Sequence, residues 1–244
     1  MEAATKHLQG VIFDFNGTLI NDDHLHYQAW AGYSKKRGYD MTKEDFQKEN
    51  GAPSKHFVAY VYQKLNKTFS EDPSVKDREM QEQIQIKDDI YKASLRASGI
   101  DLIEGARDLF QLLKDRHIPF TIATSSGKEE VDLYYELFHL DQYVDRQLVC
   151  YSDGSIKRGK PAPDIFIKAA EKLKVDIKKC IVFEDSINGV LAGDSAGAKV
   201  IEIAASDDEI INEKKKGIQK LNKVVKVLQN YKGITIDDLD NCFE

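Results

Sequence analysis

Cysteine is scarce in this chain of 244 residues: Cys150, Cys180 and Cys242 are scattered and odd in number. That excludes a disulfide framework, and no Cys/His spacing suits structural zinc. No apolar run approaches membrane-spanning length. The segment Met1-Glu2-Ala3-Ala4-Thr5-Lys6-His7 lacks the apolar core of a secretion signal, so a cytoplasmic protein is expected. Positive charge is also short. The net charge of −6 argues against nucleic acid or an anionic membrane as the main partner, since both need a basic face. Small anionic substrates stay compatible with it, because a local basic pocket can sit in an acidic protein. No internal repeat or low-complexity tract is present.

What the chain does hold is an ordinary soluble balance, 41% apolar and 31% charged, enough for a real core. Four apolar, β-branched runs predict buried strands: Gln9 to Phe13, Phe120 to Ala123, Cys180 to Phe183 and Lys199 to Ile203. Helix-period segments separate the last three: Glu129 to Phe138, Pro163 to Leu173 and Ile187 to Ala196. This alternation predicts a doubly wound α/β domain. Residues 21–97 break the rhythm. They carry three helical apolar stripes, around His26, Trp30 and Tyr33, around Phe57, Val58 and Val61, and around Met80, Ile84, Lys87 and Tyr91. The expected organisation is therefore a core of 1–20 and 98–244 with a helical insert at 21–97, joined by short polar linkers.

The chemistry concentrates at strand ends. Asp14-Phe15-Asn16-Gly17-Thr18-Leu19 follows Val11-Ile12-Phe13, which puts a carboxylate at the C-terminal edge of a sheet, where open α/β sheets bind ligands. A carboxylate there can be a nucleophile or a ligand for a hard cation. Thr121-Ile122-Ala123-Thr124-Ser125-Ser126-Gly127 runs a strand into a hydroxyl-rich turn able to hold phosphate oxygens. In Gly159-Lys160-Pro161-Ala162-Pro163-Asp164-Ile165-Phe166, two prolines stiffen the setting of one lysine. Val182-Phe183-Glu184-Asp185-Ser186-Ile187-Asn188-Gly189-Val190 ends another strand in adjacent acids, which repel unless a cation lies beside them. Mg²⁺ suits that duty.

In this order the four motifs resemble the haloacid dehalogenase superfamily of phosphotransferases. The helical insert resembles the helical-cap subclass that includes β-phosphoglucomutase. The resemblance spans about residues 9–205 and implies a Rossmann-like, doubly wound parallel sheet core with a small helical cap domain, the active site lying between them. It implies Asp14 as the nucleophile that takes a phosphoryl group, Thr124 and Ser125 as its binding site, and Lys160 as the neutralising cation. It implies Mg²⁺ held by Asp14, Asp185 and the backbone carbonyl of Asn16, with Glu184 supporting its water shell. His26, Lys55 and Lys87 are candidate specificity residues of the cap. The expected protein is a monomeric Mg-dependent hydrolase of a small, sugar phosphate-like organophosphate.

Asn16 departs from the family pattern, in which a second Asp two positions after the nucleophile protonates the leaving oxygen. An amide cannot exchange a proton near neutral pH. Four readings stand open: an enzyme for good leaving groups, a phospho-ligand-binding protein that has lost catalysis, an engineered trap, or partial deamidation at Asn16-Gly17. The loop Gly51-Ala52-Pro53-Ser54-Lys55 resembles the cap loop of phosphonoacetaldehyde hydrolase, with its lysine one residue late. Ser54 stands where β-phosphoglucomutase-like caps have a basic residue, which tells against hexose phosphate mutase activity.

Overall fold

The structure, a computed structural model, describes residues 6–49, 54–205, 217–218 and 221–244. The chain divides into two compact units, 1–21 with 101–244, and 22–100.

The first unit is built on a five-stranded parallel sheet in the order β2-β1-β3-β4-β5. Its strands are β1 (Gly10–Phe13), β2 (Phe120–Ile122), β3 (Cys180–Glu184), β4 (Lys199–Ile203) and β5 (Val224–Leu228). Every residue of β1 and β3 is buried, as expected of central strands covered on both faces. Successive side chains alternate between faces. Ile12, Val182 and Val200 join residues of two helices, numbered in chain order α7 (Asp164–Leu173) and α8 (Ile187–Ala196), in one cluster. Phe13 points the other way. It stacks on Phe183 at 5.0 Å and meets Phe110 of α5 (Ala106–Asp115) edge-on at 5.2 Å. The chain passes from β1 to β2 on one side and returns to β3 on the other, so the winding reverses beside β1. Open α/β sheets bind ligands at such a point, outside the carboxyl ends of the strands. β5 was absent from the strands expected. Lys226 interrupts its apolar run, and it lies at the sheet edge with only partial burial.

The second unit holds α1 (Asp23–Lys35), α2 (Lys43–Glu49), α3 (Ser54–Lys64) and α4 (Pro73–Ser98). Trp30, Tyr33, Met41, Phe46, Phe57, Val58 and Val61 form its core, with Trp30 stacked on Phe57 at 4.6 Å. Local signals fix the limits of α4. The Asp72 carboxylate accepts from the backbone N–H groups of Ser74 and Val75, Pro73 opens the first turn, and Gly99 closes the helix at φ 65°. Residues 51–53 of the loop compared above lie outside the described residues. None of the described helices is long and apolar enough to cross a membrane.

Asp45 ties this unit together. Its carboxylate accepts from the hydroxyls of Tyr39 at 2.6 Å, Tyr60 at 2.5 Å and Thr42 at 3.0 Å. Burial alone would raise its pKa, but the hydroxyl and backbone donors outweigh that and hold it well below the ordinary carboxylate range. The stabilisation is therefore present above the unfolded value of about 3.9, and is lost as pH falls through the lower folded value. Asp45→Asn should cost about 1–3 kcal/mol at pH 7, read by urea unfolding of the fluorescence of Trp30. The gap between native and variant should shrink below about pH 4. A gap independent of pH would contradict this assignment.

Candidate active site

Asp14 follows β1 directly, and its N–H donates to the Phe183 carbonyl at 3.0 Å, so the sheet ladder itself sets its position. Asp185 is the first residue after β3. Between them Lys160, from the loop before α7, places its Nζ 2.5 Å from Asp14 Oδ1 and 2.5 Å from Glu184 Oε1. All three groups are buried. Burial disfavours the ammonium, yet the two carboxylates more than offset it and raise the Lys160 pKa above its ordinary value. Lys160 therefore stays charged at neutral pH.

The acids have separate surroundings. Glu184 Oε2 accepts from the N–H groups of Asp185 at 2.8 Å and Ser186 at 2.9 Å, and from the Ser186 hydroxyl at 3.0 Å. The two residues that lead into α8, Asp185 and the N-cap Ser186, thus fix this carboxylate. Asp185 Oδ1 accepts from the Thr18 hydroxyl at 3.2 Å. Gly17, at φ +73°, adopts a conformation open to glycine, and a side chain there would overlap the Asp185 carboxylate. One carboxylate oxygen from each of Asp14, Glu184 and Asp185 lies within 4.8 Å of the others. Three buried acids against one buried lysine leave excess negative charge, a donor set of hard oxygens that suits a small divalent cation.

Opposite β1, Thr124 follows β2. It is buried, and its Oγ1 accepts from the Ser126 N–H at 3.1 Å. Ser125 beside it is exposed. Asn16 stands in a hydroxyl network. Its Nδ2 donates to the Tyr134 hydroxyl at 3.0 Å, and its Oδ1 accepts from Ser126 Oγ at 2.9 Å. Tyr231 supports the whole turn, donating to the Thr18 carbonyl at 2.9 Å. Burial and the charges of Asp14, Asp185 and Glu184 hold its phenol protonated, far above the usual value.

Asp14, Glu184, Asp185 and Lys160 thus meet at one sheet edge, while Thr124 and Ser125 follow the neighbouring strand β2 and Asn16 lies two residues past Asp14. His26, Lys55 and Lys87 belong to the second unit. There Lys55 is exposed on α3. Lys87 is buried, with Nζ 3.1 Å from Asp88 Oδ1 and 3.5 Å from His26 Nδ1. His26 stacks on Tyr91 at 4.1 Å, and both reach the Asp22 carboxylate.

Sequence reasoning missed Thr18, Tyr134, Tyr231 and the packing role of Gly189. A side chain at Gly189 would overlap the Glu184 carboxylate. Alanine at a helix position normally gains about 1 kcal/mol over glycine. Here the clash should reverse the sign, so Gly189→Ala should lower stability by about 1–3 kcal/mol in denaturant unfolding. A stabilised variant would show that the carboxylate can move aside.

A family model described as haloacid dehalogenase-like hydrolase matches residues 8–197. A haloacid dehalogenase hydrolase of family IA, variant 3, from Entamoeba histolytica superposes with a TM-score of 0.85 at 35% identity, covering 96% of this chain and 99% of its own. A β-phosphoglucomutase from Clostridium difficile shares the fold with a TM-score of 0.75 at 21% identity, covering 97% of each chain. A phosphorylated carbohydrates phosphatase of Thermotoga maritima is 27% identical over 194 residues, 80% of this chain and 84% of the relative. With that match over most of its length, the chain belongs to the haloacid dehalogenase-like hydrolases.

Proposed function

We propose that this protein hydrolyses a small phosphate monoester through an aspartyl-phosphate formed on Asp14. The observation that carries the reading is the buried Lys160 ammonium held 2.5 Å from both Asp14 and Glu184 at the sheet edge. Phosphoryl transfer needs in-line positioning and neutralised equatorial oxygens more than covalent activation. A fixed cation beside a strand-end carboxylate is suited to that. The phosphatase relative from Thermotoga maritima, which acts on phosphorylated carbohydrates, favours a small ester.

Asp14 and Asp185, with the Asn16 backbone carbonyl, would hold Mg²⁺, and Glu184 would support its water shell. When bound, the ion adds positive charge against the phosphoryl oxygens. The chain's residues do the rest. Thr124 and the N–H groups of the turn at Ser125 orient the phosphoryl group. Lys160 offsets the charge that would otherwise keep an anionic ester away from an anionic nucleophile. A carboxylate oxygen of Asp14 forms the new P–O bond as the ester P–O bond breaks. The leaving oxygen departs with the electron pair and takes its proton from water, since Asn16 has none to give. Water then attacks phosphorus, releasing inorganic phosphate and the Asp14 carboxylate.

The test is a panel of monoesters containing an aryl phosphate, glycerol phosphate and sugar phosphates, run with Mg²⁺ and with chelator. Turnover of the aryl ester with Mg²⁺, abolished by chelator and restored by the metal, is the expected result. No turnover of any ester, or full activity in chelator, would overturn the reading.

A further inference from the structure

Asn16 is more than a missing acid, because its amide is docked at both ends. Nδ2 donates to the Tyr134 hydroxyl at 3.0 Å and Oδ1 accepts from Ser126 Oγ at 2.9 Å, with the Tyr134 hydroxyl also 3.3 Å from Oδ1. The two hydroxyls are themselves 3.0 Å apart, and Ser126 Oγ lies 3.2 Å from Thr124 Oγ1. The network therefore runs from the phosphoryl-binding threonine to residue 16. Tyr134 is held firmly for this work. It is buried on α6 (Lys128–Phe138), and its ring stacks on Phe15 at 4.0 Å with planes 12° apart. Phe15 is the residue between Asp14 and Asn16. One tyrosine thus braces the backbone of the catalytic turn with its ring and the amide with its hydroxyl.

The two ends of an amide have nearly the same shape and opposite hydrogen-bonding character. With the nitrogen turned toward the leaving oxygen, the amide donates to the charge that develops there. An amide free to swing away would donate only part of the time. A hydroxyl both donates and accepts, so the two hydroxyls can hold the amide at either end. We infer that Tyr134 is a positioning residue, which together with Ser126 holds the Asn16 amide in place for the ester. This rests on the hydrolase reading above. Tyr134 touches no reacting atom in this account; it acts through Asn16. Because the amide helps the leaving oxygen by donation alone, the effect should belong to poor leaving groups.

Tyr134→Phe keeps the ring stack and removes the hydroxyl. One hydrogen bond of this kind shifts an equilibrium by roughly twofold to tenfold. The variant should lower kcat for glycerol phosphate by about that factor, with KM unchanged within about twofold. The aryl ester, whose oxygen leaves easily, should be affected less. In an Asn16→Ala background the Tyr134→Phe step should have no effect on kcat, because the group being positioned is gone. Independently of turnover, the Asn16 side-chain amide, assigned in ¹⁵N NMR by its loss in Asn16→Asp, should exchange its hydrogens faster in Tyr134→Phe and in Ser126→Ala. Equal kcat losses with and without Asn16, equal losses for both esters, or unchanged amide exchange would overturn the assignment. If the native chain turns over neither ester, the hydrolase reading falls, and the exchange rates alone decide whether Tyr134 holds the amide.

Discussion

Asp14→Asn should reduce turnover of every ester by roughly 10⁴-fold or more, the scale on which removal of a nucleophile acts. The fold should survive the change. Asparagine is nearly isosteric, Glu184 still pairs with Lys160 at 2.5 Å, and the backbone bond from residue 14 to Phe183 is untouched. The variant therefore separates chemistry from stability: urea unfolding stays close to native while kcat collapses. Lys160 loses one of the two carboxylates that raise its pKa, but Glu184 still keeps it charged at neutral pH. Activity retained within a few-fold would remove Asp14 from the nucleophile's role and shift attention to direct attack by water.

Asn16→Asp should raise kcat for an alkyl phosphate by on the order of 10²-fold, the lower end of what a general acid contributes. The lower end is expected because the hydroxyls of Ser126 and Tyr134 would both donate to a carboxylate at this position. Such donation favours the ionised form and weakens the group as an acid. An aryl phosphate needs little proton help, so its rate should change far less. The native protein should accordingly show a steep dependence of rate on leaving-group pKa, and Asn16→Asp should flatten it. Intact mass must show an amide at position 16 in the native sample, since Asn16-Gly17 is a deamidation-prone pair. No gain on any alkyl ester would mean that the leaving oxygen already receives its proton from another group.

Much of this was legible in the sequence, for reasons that differ by element. β1 and β3 announce themselves because they are central parallel strands buried on both faces with unbroken apolar runs, while β2 and β4 are read from their buried apolar residues despite Thr121 and Glu202. β5 does not announce itself, because its partly buried run tolerates Lys226 and the exposed Val225. α5 carries Leu109, Phe110 and Leu113 on one face, a readable stripe that strand-first reading passed over. Asp14, Thr124, Glu184 and Asp185 were legible because each stands at or just past a strand end, where chain order and sheet geometry coincide. Lys160 was marked by its prolines. Tyr134 left no mark: it lies eight residues beyond Ser126 in an ordinary amphipathic helix, and only the fold brings its hydroxyl to Asn16. Gly189 sat inside a motif that was read, but its packing over Glu184 is a close approach, and composition does not encode distance. In the helical unit the stripe through Lys87 matches the burial of Lys87 and Tyr91, with Met80 and Ile84 half-buried. What the spacing could not give is that the ammonium there lies within reach of Asp88 and His26.

The most direct test of the central claim is an acid quench during steady turnover of an aryl phosphate, followed by intact and peptide mass analysis. The account predicts a phosphoryl adduct on the peptide carrying Asp14, sensitive to hydroxylamine as an acyl phosphate is, and absent from Asp14→Asn. An adduct on any other residue, or one that persists in Asp14→Asn, would contradict it.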